Sequence, residues 1–185
     1  IGEVGTGKTL LCRLLLEYLE DDYFSAYIPN PDHTPHGLRL AFAYELGLKP
    51  DREIDQHALL EMINQRLVEL NNQNKKIVLL LDEAQAMSVE CLEALRLLTN
   101  LETETKKLMQ VVLFGQPELD IKLNKPELRQ LKQRITFSYQ LQPIAYHELD
   151  AYLCHRLAKA GHTYGAIFTP RARRFLFKSS RGLPR

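Results

Sequence analysis

The sequence of 185 residues contains no tryptophan, only three cysteines and no excess of charge of either sign. Its 24 basic side chains stand against 23 acidic ones, so the charge balance does not indicate a protein coated in positive charge to grip nucleic acid. The cysteines (Cys12, Cys91 and Cys154) lack the spacing of a metal site or of a disulfide framework. We therefore expect a reduced, intracellular compartment.

Long apolar runs are missing as well. The longest unbroken aliphatic run, residues 77–81, is far shorter than the roughly 20 residues that a membrane-spanning helix needs. The sequence begins without a methionine and shows no secretory leader pattern. Because 45% of the residues are apolar and 25% are charged, the composition is that of a globular protein and excludes a disordered one.

Short apolar runs alternate with longer runs of helical period, which is typical of an α/β domain with a mostly parallel sheet. The expected strands are residues 24–28, 77–81, 108–114 and, from alternation of apolar and polar residues, 135–141. The expected helices begin near Lys8, Thr34, Leu59, Ser88, Pro117 and Pro126. Pro143 marks a hinge, after which only helices are expected, so we divide the chain into residues 1–143 and 144–185. Both ends look truncated.

A glycine-rich motif opens the chain. Gly2–Thr9 read G-E-V-G-T-G-K-T and match the pattern G-x-x-x-x-G-K-[ST]. Glycines let such a loop turn its N–H groups towards a phosphate chain, and the helix that follows adds the positive end of its dipole. A chance glycine turn is the alternative. The predicted nucleotide-binding residues are Gly2, Glu3, Val4, Gly5, Thr6, Gly7, Lys8, Thr9 and Leu10, with Lys8 on the β- and γ-phosphates.

An acidic pair, Asp82 and Glu83, ends the apolar run 77–81. Open α/β sheets bind ligands at the carboxyl ends of their strands, so the pair is expected beside the glycine-rich loop. Asp82 and the Thr9 hydroxyl would hold Mg²⁺, and Glu83 would orient and deprotonate a water that attacks the γ-phosphate. Acids are also common where a strand leaves a core, and only the pairing with the loop makes this signal strong.

Five segments together resemble one branch of the AAA+ ATPases, the general secretion pathway protein A (ExeA/GspA) type, which includes the MSHA pilus biogenesis ATPase (MshM-like). They are GEVGTGKT, LLLDEAQ, LRLLTNLETETKKLMQVVLFGQPEL, LRQLKQRI and RGLPR. The resemblance implies an α/β P-loop NTPase with a parallel sheet in the order 5-1-4-3-2, whose first strand would precede Ile1. It also implies a helical lid, of which residues 144–185 are the start, with nucleotide bound between core, lid and a neighbouring subunit.

The resemblance also implies roles for three further residues. Gln116 matches the sensor-1 position, although a turn residue before Pro117 would look the same. Arg134 matches the arginine finger, but Arg129 and Lys132 lie on the same short helix, and a basic residue at a helix end is common. Arg185 matches sensor 2. The predicted catalytic residues are therefore Glu83, Gln116, Arg134 and Arg185.

The leading functional prediction is a Mg²⁺-dependent ATPase that forms a homo-oligomer and drives assembly of a bacterial envelope secretion or pilus system. Its expected partner is an inner-membrane or pilus/secretion assembly protein, and we expect it to be a cytoplasmic domain of an inner-membrane-associated protein. One alternative is a DNA-binding ATPase of the transposition-helper type, supported only by the basic stretch 171–185, which holds six basic residues and no acidic one. Another is a scaffold that binds ATP without turnover. A turn with two exposed histidines, His33 and His36, is a better interpretation of that pair than a metal site.

Overall fold

The computed structural model describes residues 1–19, 22–31, 34–101, 107–162 and 167–184. The chain divides into two compact units. The first comprises Ile1 and Lys8–Tyr139, and the second comprises Gly2–Gly7 and Gln140–Arg185. The division of the chain into a core and a lid at residues 143 and 144 stays a prediction.

The first unit contains a parallel sheet of three strands in the order β1-β2-β3: β1 (Tyr23–Ile28), β2 (Lys76–Leu81) and β3 (Met109–Leu113). The register places Ile28 opposite Leu81 and Leu81 opposite Leu113, so the carboxyl ends of all three strands meet at one edge. β2 is the central strand, and every residue after Lys76 is buried, as expected for an apolar run covered on both faces.

In the described residues of this unit, six α-helices flank the sheet, and three of them begin at a side-chain cap. They are α1 (Lys8–Tyr18), α2 (Pro35–Glu45), α3 (Gln56–Asn72), α4 (Val89–Leu98), α5 (Pro117–Leu123) and α6 (Arg129–Gln133). The predicted caps are confirmed: the Thr34 hydroxyl accepts a hydrogen bond from the Gly37 N–H at 3.1 Å, and the Ser88 hydroxyl accepts one from the Cys91 N–H at 3.2 Å. Asp55 caps α3 in the same way.

The two faces of β2 are covered by different helices. Alternate residues point to opposite faces of a strand, and Leu79 and Leu81 belong to the larger cluster, which includes Phe42 of α2 and Ile63 of α3. Val78 and Leu80 belong to a smaller cluster with Cys12 of α1 and Phe114. Cys12 is fully buried, as expected for a packing thiol.

The strand predicted at residues 135–141 is wrong. Leu141 alone takes part in a parallel bridge, to Gly2, and residues 135–140 form no strand. The apolar residues of the alternating pattern do not define a buried face, since the Phe137 side chain is 90% exposed. A strand also needs a ladder of hydrogen bonds along its length. The N-terminal amine of Ile1 donates a hydrogen bond to the Tyr139 carbonyl at 2.8 Å.

In the described residues from 149 onward, the second unit contains two helices and no strand, as predicted. It contains α7 (Leu149–Lys159) and α8 (Pro170–Ser180), and the Tyr146 and Phe177 rings meet edge to face with their centroids 5.3 Å apart. Arg173 of α8 forms an ion pair with Asp150 of α7. Among the residues that the structure describes, no helix combines the length and the apolar character needed to cross a bilayer.

Candidate active site

The glycine-rich loop, Gly2–Gly7, has the backbone geometry that its motif predicts. Gly5 and Gly7 have φ of 86° and 92°, in the left-handed region that glycine adopts without strain. A Cβ on Gly2 would lie 2.7 Å from the Thr6 hydroxyl oxygen and 2.9 Å from the Leu141 Cβ. The loop is closed by the Thr6 N–H and hydroxyl, which both donate to the Glu3 carbonyl, at 3.2 and 2.8 Å. Any side chain at these glycines would therefore change the loop.

Helix α1 begins with the last three of the predicted nucleotide-binding residues, Lys8, Thr9 and Leu10. Lys8 is 6% exposed, Thr9 and Leu10 are exposed, and all three lie in the first turn, where backbone N–H groups have no partner within the helix. The Thr9 hydroxyl donates a hydrogen bond to Oδ2 of Asp82 at 2.8 Å, across 73 residues of sequence. The motif threonine and the acid at the end of β2 are thus brought together, as the sequence predicts.

Asp82 is the most deeply buried acid of the site, with 2% exposure. Its Oδ1 accepts from the Glu83 N–H at 2.9 Å, and its own N–H donates to the Ile28 carbonyl at 3.1 Å. Burial and, second, the charge of Asp82 raise the pKa of the Cys12 thiol to about 11. A carboxylate and a hydroxyl oxygen in contact are the hard oxygen donors that Mg²⁺ prefers, so Asp82 and Thr9 fit a magnesium site.

Glu83 follows with a strained backbone, since its φ of 53° and ψ of 36° lie in the left-handed region. Its Oε2 accepts two amide hydrogen bonds, one from Gln85 Nε2 at 2.5 Å and one from Gln116 Nε2 at 3.3 Å. Gln85 Oε1 in turn accepts from the backbone N–H of Gln116 at 3.0 Å. The predicted base and the predicted sensor are therefore in direct contact.

Gln85 was not predicted from the sequence as a site residue. It lies in a 3₁₀ turn, Ala84–Ala86, that follows the acidic pair directly. A signal did exist: a glutamine two residues after Glu83 leaves β2 at the same sheet edge as Gln116 leaves β3. Two long amide side chains at one edge of a parallel sheet can reach each other, and this register argument could have found the pair.

Of the two arginines predicted for the site, Arg134 lies against Thr99 and Arg185 is outside the described residues. Arg134 is exposed at the end of α6, and its Nη1 lies 3.4 Å from both the carbonyl and the hydroxyl oxygen of Thr99. Lys132 donates to the Asn124 side chain, and Arg129 begins α6. Arg185 lies outside the described residues, so its predicted role stays a prediction.

The interpretation of the histidine pair as an exposed turn is wrong for His36. His36 is half-buried in the first turn of α2, with a ring nitrogen 3.4 Å from the Arg52 carbonyl oxygen, and His33 lies outside the described residues. In the described part of the chain, no group of three or more His, Cys, Asp or Glu side chains could hold a metal ion. Thr9 and Asp82 would supply only two oxygen ligands to Mg²⁺, which usually takes its remaining ligands from water and substrate phosphates.

Comparison with known proteins identifies the family. A family model described as an AAA domain matches residues 1–123. The chain belongs to the AAA family. General secretion pathway protein A of Aeromonas hydrophila is 47% identical over 184 residues, which make up 100% of this chain and 34% of that protein. This AAA domain thus spans about a third of the length of its relative, and the predicted resemblance to the general secretion pathway type is confirmed.

Solved structures agree on the fold. The ORC2 protein of Aeropyrum pernix, in ADPNP–ADP complexes, matches with a TM-score of 0.66 at 18% identity, over 85% of this chain and 44% of that one. Cdc6p of Pyrobaculum aerophilum matches with a TM-score of 0.64 at 23% identity, over 86% of this chain and 42% of that one. The AAA domain therefore has the predicted α/β P-loop NTPase fold, with a parallel sheet flanked by helices.

Proposed function

We propose that this AAA domain binds ATP with Mg²⁺ and hydrolyses it within a homo-oligomer, and that hydrolysis drives assembly of a bacterial envelope secretion or pilus system. The observation that carries the proposal is a chain of side chains in one unit. Thr9 donates a hydrogen bond to Asp82. Glu83 follows Asp82 in the sequence and accepts a hydrogen bond from Gln116. A metal-holding pair, a candidate base and an amide donor are thus adjacent.

Nucleotide binding is assigned to Gly2–Leu10. The loop geometry of Gly5 and Gly7 supports a cradle of backbone N–H groups for phosphates, which a Cβ would distort. Lys8 supplies the cation for the β- and γ-phosphates. When bound, Mg²⁺ neutralises charge on the phosphate oxygens, and Thr9 and Asp82 are the residues that would hold it.

Hydrolysis is assigned to Glu83, with Gln116 as its neighbour. Glu83 takes a proton from the attacking water. The side-chain amide of Gln116 donates one hydrogen bond to the Glu83 carboxylate, and its second N–H can donate to a phosphate oxygen. Arg134 is proposed to reach the γ-phosphate of a neighbouring subunit, and Arg185 that of its own. The exposure of Arg134 supports the first of these assignments.

The biological setting rests on the relative. General secretion pathway protein A is a secretion protein by name, and this chain spans a third of it. We propose that the AAA domain works at the cytoplasmic face of the inner membrane with an inner-membrane or pilus/secretion assembly protein as its partner. The Glu83 carboxylate argues for turnover rather than for a scaffold that only binds ATP.

The experiment compares three variants of the full-length protein with the wild type. Lys8→Ala should weaken ATP binding steeply in calorimetry, because it removes the cation over the β- and γ-phosphates. Glu83→Gln should bind ATP and Mg²⁺ normally but hydrolyse ATP ~10²-fold or more slowly, since an amide cannot take a proton from water. Glu53→Gln, at an exposed loop position, is the matched control and should behave as the wild type.

Two results would overturn the proposal. Unchanged ATP affinity in Lys8→Ala would remove the phosphate-loop assignment, and wild-type turnover in Glu83→Gln would remove the base. The assembly role is tested separately in a strain that lacks the gene. Wild type and Glu53→Gln should restore secretion or pilus formation, and Glu83→Gln should not. Restoration by Glu83→Gln would separate hydrolysis from assembly.

A further inference from the structure

Gln85 lies between two residues of the proposed hydrolysis machinery and has no role in it so far. Its planar amide uses both ends: Nε2 donates to Oε2 of Glu83 at 2.5 Å, and Oε1 accepts from the Gln116 N–H at 3.0 Å. A side-chain amide carries donor and acceptor at a fixed separation, so satisfying both fixes the distance between Glu83 and the start of α5. Gln85 is therefore a rigid spacer between two strand ends.

The backbone beneath Gln85 is held from two directions. The Ala84 N–H donates to the Phe114 carbonyl at 2.9 Å, which ties the turn to the end of β3. The Lys122 ammonium of α5 donates to the carbonyl oxygens of Gln85 and Met87, at 2.7 and 2.5 Å. Hydrogen bonds from a charged donor are among the stronger ones in proteins. The backbone from which the Gln85 side chain extends is therefore held both by the end of β3 and by α5.

Gly115 gives independent support. A Cβ on Gly115 would lie 2.7 Å from Cδ2 of Leu119 and 3.4 Å from Oε1 of Gln85. The lack of a side chain at the residue before Gln116 thus leaves room for Leu119 of α5, and the Gln85 amide lies at contact distance from the same position. The segments D-E-A-Q and G-Q-P meet here through the hydrogen bond from the Gln116 N–H to Gln85.

The direction of the Glu83 carboxylate matters for its proposed role. An untethered glutamate rotates about three side-chain bonds, whereas a base must present a lone pair to one water. The hydrogen bonds donated by the side-chain amides of Gln85 and Gln116 both end on Oε2 of Glu83. We therefore expect Oε1 of Glu83 to take the proton. A displacement of the reacting oxygen by about 1 Å can lower the rate on the order of 10²-fold.

We propose that Gln85 is a positioning residue that holds the Glu83 carboxylate in the direction needed to deprotonate water and couples that direction to Gln116. This inference rests on the proposed function. If Gln85 had only a structural role, it would hold the turn Ala84–Ala86 against the end of β3. Its substitution would then change the stability of the fold without affecting Glu83. The experiment therefore has to separate an effect on Glu83 from an effect on folding.

The first test is Gln85→Ala in the full-length protein. ATP affinity should stay within about twofold of wild type, while kcat falls between ~10-fold and ~10²-fold, the range that misplacement of a reacting group produces. Gln65→Ala, at an exposed position on α3, is the matched control and should keep the wild-type kcat. A wild-type kcat in Gln85→Ala would overturn the inference.

Two further variants replace Gln85 by a polar side chain that can form only part of its hydrogen bonds. Gln85→Glu has the same length and can still accept from the Gln116 N–H, but it cannot donate to Glu83 and places a like charge beside it. It should be at least as slow as Gln85→Ala. Gln85→Asn, one methylene shorter, should also be slow because it cannot span both partners. Faster turnover in Gln85→Glu than in Gln85→Ala would contradict the proposed donation to Glu83.

The decisive measurement is a double-mutant cycle. If Gln85 acts through Glu83, the variant carrying both Glu83→Gln and Gln85→Ala should be as slow as Glu83→Gln alone. Multiplication of the two losses would overturn the inference. A second readout needs no turnover: the side-chain amide resonances of Gln85, assigned by their loss in Gln85→Ala, should shift in Glu83→Gln. Unshifted resonances would contradict the hydrogen bond.

The outcomes distinguish the two proposals. If Glu83→Gln is slow and Gln85→Ala is not, the proposed function stands and the inference about Gln85 is wrong. If Glu83→Gln hydrolyses ATP at the wild-type rate, the proposed function and the positioning role fail together. In either case the backbone N–H resonances and the melting temperature of Gln85→Ala show whether the variant is folded.

Discussion

Cys12 shows how a single side chain reports on its surroundings. The thiol is fully buried against β2, and burial together with the Asp82 charge raises its pKa to about 11. Only the thiolate reacts with alkylating reagents at a useful rate. At pH 8 we therefore expect rapid labelling of the exposed Cys154 and slow labelling of Cys12 and Cys91, measured by mass spectrometry of the folded protein. Equally fast labelling of Cys12 would contradict its burial.

The same thiol predicts a dependence of stability on pH. Its folded pKa lies above the ordinary value of 9.0, so its contribution to stability is complete below about pH 9 and is lost as the pH rises through about 11. Urea unfolding of the wild type should become easier over that interval. Tyrosines and lysines also titrate there, so the comparison is with Cys12→Ala, whose decline should be shallower.

Residue types and spacing predicted most of the candidate site but not its internal contacts. The sequence placed Thr9 after the glycines and Asp82 at the end of an apolar run, and the structure brings their oxygens together. Their roles stay predictions. Gln85 was missed because its partners lie up to 31 residues away, and such contacts depend on the register of β2 and β3 rather than on any local pattern.

Helix α4 offers a prediction at the scale of an element. The Ser88 hydroxyl accepts from the Cys91 N–H and also lowers the pKa of Glu90 through a hydrogen bond to its carboxylate. Ser88→Ala should lower the free energy of unfolding by about 1 kcal/mol, the usual cost of a lost N-cap. Urea denaturation measures this change. Ser88→Gly should lower the free energy of unfolding by only about a few tenths of a kcal/mol.

A second measurement on the same cap is independent of unfolding. In Ser88→Ala the pKa of Glu90 should rise towards its ordinary value, which a pH titration of its carboxylate resonance would show. If both the free energy of unfolding and the Glu90 pKa stay at their wild-type values, Ser88 is not the cap of α4.

Elements that carry their own signals were predicted well from the sequence, and one that depends on a distant neighbour was not. Thr34 and Ser88 mark helix starts through local hydrogen bonds, so a short window contains the information. The segment 135–141 alternates correctly for a strand, but alternation specifies only which face a side chain would take. Pairing decides whether the strand forms, and here pairing is confined to the bridge between Gly2 and Leu141.

The proposed oligomer is tested at the scale of the whole molecule through Arg134. In isolation its guanidinium contacts Thr99 and is exposed, which suits a group that acts on another subunit. Arg134→Ala should bind ATP nearly normally yet hydrolyse it ~10³-fold or more slowly, the range known for trans arginine fingers. Wild-type activity should also rise faster than linearly with protein concentration.

Mixing two inactive variants makes this prediction sharper. Lys8→Ala lacks a working phosphate loop, and Arg134→Ala lacks the finger. A mixed oligomer contains interfaces at which an intact loop from one chain meets an intact finger from the other, so partial ATPase activity should return. Mixing Lys8→Ala with Glu83→Gln is the control. No recovery in oligomers shown to be mixed would count against a finger that acts between subunits.

Charge is distributed unevenly over the whole molecule. The stretch 171–185 holds six basic residues and no acidic one. Arg173 forms an ion pair with Asp150, whereas Arg171, Arg174 and Lys178 are exposed on α8, as charged side chains on a surface helix usually are. The relative found by comparison favours the secretion-type interpretation over the DNA-binding one.

The left-handed backbone of Glu83 has a consequence for how this protein can change over evolutionary time. With φ at 53°, the position suits glycine or asparagine better than glutamate, by roughly 1 kcal/mol or more. Selection for turnover must therefore act continuously against a small gain in stability at this one codon. In a lineage that no longer needs to hydrolyse ATP, position 83 should be among the first to drift, and towards glycine or asparagine rather than at random.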